Sequence, residues 1–90
     1  MPQAIVDPAE LRRFAQNLKK FNNELQVQMS SLHGQLLALG TTWRDQENQK
    51  FVEEFEQTMQ TIKRFVESAS RHVPFLMRKA ERVEEYLQQR

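Results

Sequence analysis

Apolar residues in the first half of the chain recur at Leu11, Phe14, Leu18, Phe21, Leu25, Met29, Leu32, Leu36 and Leu39. Steps of three and four draw one narrow stripe on a helix, because 3.6 residues complete a turn. Leu11, Leu18, Leu25, Leu32 and Leu39 stand seven apart, the spacing of a helix–helix seam. Ahead of the stripe, Asp7 offers an N-cap, Pro8 occupies the first helical position, and Glu10 follows the cap by three residues. The pattern predicts a first helix, α1, over about 8–39. Gly34 lies off the stripe and only weakens the helix locally.

Gly40 follows the last stripe residue, where a left-handed residue ends many helices. Thr42, with Asp45 three residues on, reads as a second start signal. The turn therefore falls at 40–42, and a second helix, α2, is predicted over about 43–89. Its stripe reads Phe51, Phe55, Met59, Ile62, Val66, Ala69, Val73, Leu76, Ala80, Val83 and Leu87, with Val52 and Phe65 beside it. Pro74 removes one hydrogen bond of the ladder. The stripe keeps phase across it, so a kink near residue 74 is expected rather than a new helix. A connection this short makes the helices antiparallel neighbours. The expected fold is all-α: a single helical-hairpin domain spanning 1–90.

Register adds an expectation. If residue 39 faces 43, residue 8 faces about 74, and residues 75–90 run about 24 Å beyond α1 at 1.5 Å per residue. The apolar stripe continues there through Leu76, Val83 and Leu87, joined by Phe75, Met77 and Tyr86. A hairpin with one seam also has little core to spare. Two hairpins paired into a four-helix bundle would bury both faces. A homodimer is therefore expected, with packing residues Leu11, Phe14, Leu18, Phe21, Leu25, Leu32, Leu36, Phe51, Phe55, Ile62, Val66, Val73, Leu76, Val83 and Leu87. A third helix over 75–90, folded back on the hairpin, is the rival arrangement.

Charge and candidate chemistry narrow the function. Net charge is +1 and cysteine is absent, which removes disulfides, thiolate metal sites and cysteine nucleophiles. His33 and His72 lack the spacing of a bundle metal site. The carboxylates Glu53, Glu54 and Glu56, and again Glu81, Glu84 and Glu85, fall mostly on outward faces with no nucleophile or glycine-rich loop beside them. No enzyme, cofactor, metal or small-molecule substrate is indicated. Arg64, Arg71, Arg78 and Arg82 share a face, but Glu67 and Glu81 stand three residues from Arg64 and Arg78, which suggests ordinary intrahelical pairing. Nucleic acid is not an expected partner at this net charge, and no apolar run is long enough to span a bilayer. The N-terminal residues show no basic and apolar signal-peptide pattern, so synthesis in the cytoplasm without a leader is expected. Trp43, the only tryptophan, stands at the turn. It suits both a plug closing the end of the bundle and a recognition residue in a groove.

Leu36, Leu39, Gly40, Trp43, Phe51 and Phe55, set in a chain of this length with two amphipathic helices, are similar to the motif region of the WXG family. These are the small ESAT-like proteins of type VII secretion. Asp45 stands where that family's Trp-x-Gly motif has glycine, and a carboxylate in the first turn of a helix suits the helix dipole. Tyr86 has Arg90 four residues on, where the family's export signal has an acidic residue. The resemblance implies a non-enzymatic four-helix dimer, with itself or a related hairpin protein, exported as substrate or carrier by a type VII route. A secretion ATPase is then a further partner, and Gly40, Trp43 and Asp45 form the turn motif. The rival function is an intracellular coiled-coil adaptor or scaffold subunit that docks a partner through residues 75–90.

Overall fold

The computed structural model describes residues 6–89, and they form two α-helices: α1, Pro8–Leu39, and α2, Gln46–Gln88. The Asp7 carboxylate accepts from the Ala9 amide at 2.9 Å, which satisfies one of the free N–H groups at the start of α1. The helices lie side by side in a rod of 68 × 18 × 14 Å.

The end of α1 departs from expectation. Gly40 is right-handed (φ −62, ψ −14), not left-handed. The chain tightens instead of reversing at once: Gly40 N–H donates to Leu37 O at 3.1 Å, Thr41 to Ala38 at 3.2 Å and Thr42 to Leu39 at 3.0 Å. The Thr41 hydroxyl also donates to Ala38 O at 2.9 Å, and Arg44 Nε to Gly40 O at 3.1 Å. Helix-terminal carbonyls that would lack partners are thereby covered by the turn's own side chains.

The start of α2 is corrected as well. Helix 2 begins at Gln46, three residues later than the predicted 43, with Asp45 and not Thr42 as its N-cap. The Thr42 hydroxyl is turned back to Leu39 O at 3.4 Å. Asp45, extended at φ −91, ψ −176, accepts from the Asn48 amide at 3.0 Å. An ionised carboxylate is the stronger acceptor at the positive end of a helix dipole.

This late start overturns the simple register. His33 lies opposite Glu56 (3.4 Å), Asn22 opposite Ser70 (3.4 Å), and Arg12 holds Glu84 through two of its guanidinium nitrogens, Nη2 to Oε1 and Nε to Oε2, the latter at 3.2 Å. Residues 75–84 therefore lie against α1 and do not run free beyond it. The tight turns at 40–42 prolong α1 before the chain crosses. Helical side chains also tilt toward their own N-termini, so Arg12 reaches away from the turn while Glu84 reaches back toward it. No third helix forms among the described residues, since α2 runs as one helix through Pro74.

The core is a single seam. Ala15 and Ala80 are fully buried, with Leu36, Val66, Ala69 and Asn22 nearly so. On α1 the buried and half-buried positions step 11, 15, 18, 22, 25, 29, 33, 36. This line is also spaced by threes and fours and keeps Leu11, Leu18, Leu25, Met29 and Leu36 of the predicted stripe, but takes Ala15, Asn22 and His33 in place of Phe14, Phe21 and Leu32. Phe14, Phe21 and Leu32, expected in the packing, are 57%, 50% and 48% exposed. Alanines let two helices approach closely where phenylalanine would hold them apart, so the smaller line of residues takes the intrachain seam.

Arg12 holds the Glu84 carboxyl below its ordinary 4.5, chiefly through its hydrogen bonds, with desolvation opposing and the charge of Arg12 adding a smaller lowering. A depressed carboxylate adds stability above its unfolded pKa and loses it as pH falls through the folded one. Acid melting curves of wild type and Glu84→Gln should therefore converge below the ordinary carboxylate range and separate at neutral pH, with wild type the more stable. Equal separation at every pH would show that the pair adds nothing ionic.

Candidate functional site: the turn and the open apolar face

Two features stand apart from the seam. The first is at the turn. Trp43 leaves the helical path, so its indole lies back over the first turns of α2, half-buried, with its ring centroid 5.8 Å from that of Phe51. Phe51 in turn lies 5.8 Å from Phe55, so three rings follow one another down one edge of the hairpin. The indole covers part of the turn end and keeps part of its surface in solvent. Gly40 is half-buried and Asp45 is exposed.

The second is a face along the length of the rod. At 100° per residue, Phe14, Phe21, Leu25, Leu32 and Leu39 fall within about 40° of one another around α1. Phe21 meets Phe65 of α2 edge to face, with centroids at 6.5 Å and planes at 88°. Phe14, Leu18, Phe65, Ala69, Phe75 and Leu76 line a shallow groove of 460 Å³ that also holds Ser68 and His72. Phe65 and Phe75 are 51% and 52% exposed. Half of each ring is thus in water, on a chain whose other edge is polar. That other edge carries the Arg12–Glu84 and His33–Glu56 pairs.

The residues singled out from the sequence divide among these places. Leu36 and Val66 are buried in the seam. Leu11, Leu18, Leu25, Phe55, Ile62, Val73, Leu76 and Val83 are half-buried along its borders. Phe14, Phe21, Leu32, Phe51 and Leu87 are exposed. Sequence reasoning missed Ala15 and Asn22, because neither is a large hydrophobe. Their signal was the alternative spacing 11, 15, 18, 22, 25, which fits a seam as well as the stripe does. Arg64, Arg71, Arg78 and Arg82 do not pair along α2, contrary to expectation. Among the described residues, ion pairs form only at Arg12–Glu84 and His33–Glu56. These arginines point away from the seam, where hydration is worth as much as an exposed pair.

Among the described residues, no group of three or more His, Asp or Glu converges to hold a metal, and no helix is long and apolar enough to cross a membrane. The carboxylates Glu53, Glu54, Glu56, Glu81 and Glu85 are exposed. The arrangement presents surface for packing and a rigid turn. Losing the Asp45 cap should cost about 1 kcal/mol in Asp45→Ala, or about 4–8 °C in Tm, and only a few tenths of that energy in Asp45→Gly. Thermal unfolding followed by circular dichroism checks both, and equal losses would assign the effect to something other than the cap.

Comparison with known proteins finds the same frame elsewhere. The WXG100 family, described as proteins of 100 residues with WXG, matches residues 3–86. The secreted protein EsxB from Bacillus anthracis str. Sterne, in selenomethionine-labelled form, is similar at 28% identity with a TM-score of 0.79, over 96% of this chain and 98% of that one. Its wild-type form gives 28% and 0.78 over 93% and 97%, and a mutant form 28% and 0.83 over 94% and 96%. No protein of curated function matches. With α1, the tryptophan turn and all but the last two residues of α2 inside the matched region, the chain belongs to the WXG100 family, with Asp45 at the glycine position of the motif.

Proposed function

We propose that this protein acts by helix packing and not by catalysis, as an exported substrate or carrier of a type VII secretion route, and that it works as a homodimer. One observation carries the pairing: four phenylalanines, Phe14, Phe21, Phe65 and Phe75, stand half exposed along one face of a hairpin with a single seam. An extended aromatic face of this kind is what a soluble monomer seldom leaves open, and a second hairpin laid on it completes a four-helix bundle. Leu11, Leu18, Leu25, Ile62, Leu76, Val83 and Leu87 border the same face and would be covered with it.

Charge supports an antiparallel second copy. Segment 43–57 carries two basic and five acidic residues, and segment 58–90 seven basic and four acidic. Antiparallel pairing sets the acidic turn end of one hairpin beside the basic far end of the other, whereas parallel pairing opposes like charges. A related hairpin with the same face could take that place, and a secretion ATPase would then meet the assembled bundle at the Trp43 end. The burial of Ala80 and the hold of Arg12 on Glu84 favour the pairing of hairpins over an adaptor that docks a partner through residues 75–90.

Light scattering should give twice the 10.8 kDa chain mass at micromolar concentration, and Phe65→Asp should return it to that mass with helicity kept. A wild-type monomer would sink the homodimer. Export is supported by membership of the family and by the secreted EsxB neighbours. Tagged protein should reach the medium of cells with the secretion ATPase and stay inside cells in which that ATPase is deleted. Equal amounts outside both would remove the type VII reading.

A further inference from the structure

The α1 seam holds one polar residue at its centre. Asn22, between Leu18 and Leu25 on that line, is 3% exposed. Its Nδ2 donates to Ser70 Oγ at 3.4 Å, while Oδ1 is buried without a partner. Turning the amide over exchanges the two ends and still leaves one unpaired. A buried amide paired at one end costs stability that leucine in the same place would not.

What α2 presents at this level is unlike the rest of the seam. Pro74 has no N–H, so the Ser70 carbonyl lacks its helical donor. Lys19, Asn22, Asn23, Ser70, Val73 and Pro74 line one cleft there, of 240 Å³. One heptad to either side, the places of Ser70, Val73 and Pro74 are taken by Lys63, Val66 and Glu67 or by Met77, Ala80 and Glu81, and neither set offers a short hydroxyl beside a proline.

The apolar pattern leaves the register weakly set. Seam positions 11, 18 and 25, and likewise 15, 22, 29 and 36, map onto one another when α1 slides by seven residues. The six-residue connection, 40–45, is longer than the two to five residues of a tight helical hairpin. We propose that Asn22 is the register lock of the hairpin: its amide meets a short hydroxyl beside the ladder gap only opposite Ser70 and Pro74, and a slip of one heptad puts Met77 or Lys63 in the place of Ser70. A single polar seam residue can fix pairing in this way at a cost in stability. The lock acts on the α1–α2 seam alone and does not depend on the pairing of hairpins.

The chain has no native cysteine, so nitroxide labels can be placed cleanly at Glu24→Cys and Glu67→Cys, both exposed. Pulsed electron resonance on labelled protein diluted with unlabelled protein then reads the intrachain distance. The unsubstituted seam should give one narrow distance. N22L should raise Tm by about 4–8 °C and add a second distance from chains displaced by one heptad, about 10 Å along the axis. S70A, which removes the hydroxyl partner, should lower Tm and keep the single distance. A single distance in N22L overturns the lock, as does a lower Tm or loss of fold in N22L. An unchanged Tm in S70A would show that Asn22 has no working partner on α2 and overturns it too.

Discussion

One seam between two helices is all the interior that the described residues have, and the width of that seam governs the rest. Ala15 and Ala80 are fully buried where larger residues would separate the helices. Close approach in the middle and far half of the rod lets dispersion act over many small contacts. It also turns α1 so that its larger residues, Phe14 and Phe21, fall outside. The exposed aromatic face is thus a consequence of choosing the narrower seam and not an isolated surface feature.

The connection transmits this choice along the rod. Residues 40–42 keep turning in the sense of α1, the Thr41 and Thr42 hydroxyls cover carbonyls at its end, and Asp45 restarts the helix. Delaying α2 to Gln46 helps bring Glu84 level with Arg12. The side chains that finish α1 and those that fasten its far end therefore belong to one geometric arrangement. Trp43 sits where the chain is between helices, which frees its ring to lie on Phe51 while one edge stays in water.

The result is a two-sided rod. Ion pairs lie along one edge and aromatic rings along the other, with the Asn22 amide buried in the seam between them. That polarity is the feature on which the proposed pairing of hairpins rests, in a chain that belongs to the WXG100 family. An Asp at the motif's glycine position fits the same frame, because the position is an extended N-cap at φ −91, which any residue can adopt.

Much of this was legible in the residues. Asp7-Pro8 marks the start of α1, the step of threes and fours marks both helices, and Gly40 to Trp43 marks where the chain turns, since each depends on neighbours along one helix. The antiparallel hairpin and the family resemblance rest on the same local signals. Three matters were not legible: the cap at Asp45 instead of Thr42, the register that joins Arg12 to Glu84, and the burial of Ala15 and Asn22 in place of Phe14 and Phe21. Two lines spaced by threes and fours run side by side on α1, and periodicity ranks them only by hydrophobicity. The sequence by itself determined two amphipathic helices and their reversal. Only the tertiary structure decided which line faces inward, because that depends on how closely two backbones can approach, a property of the pair of helices together.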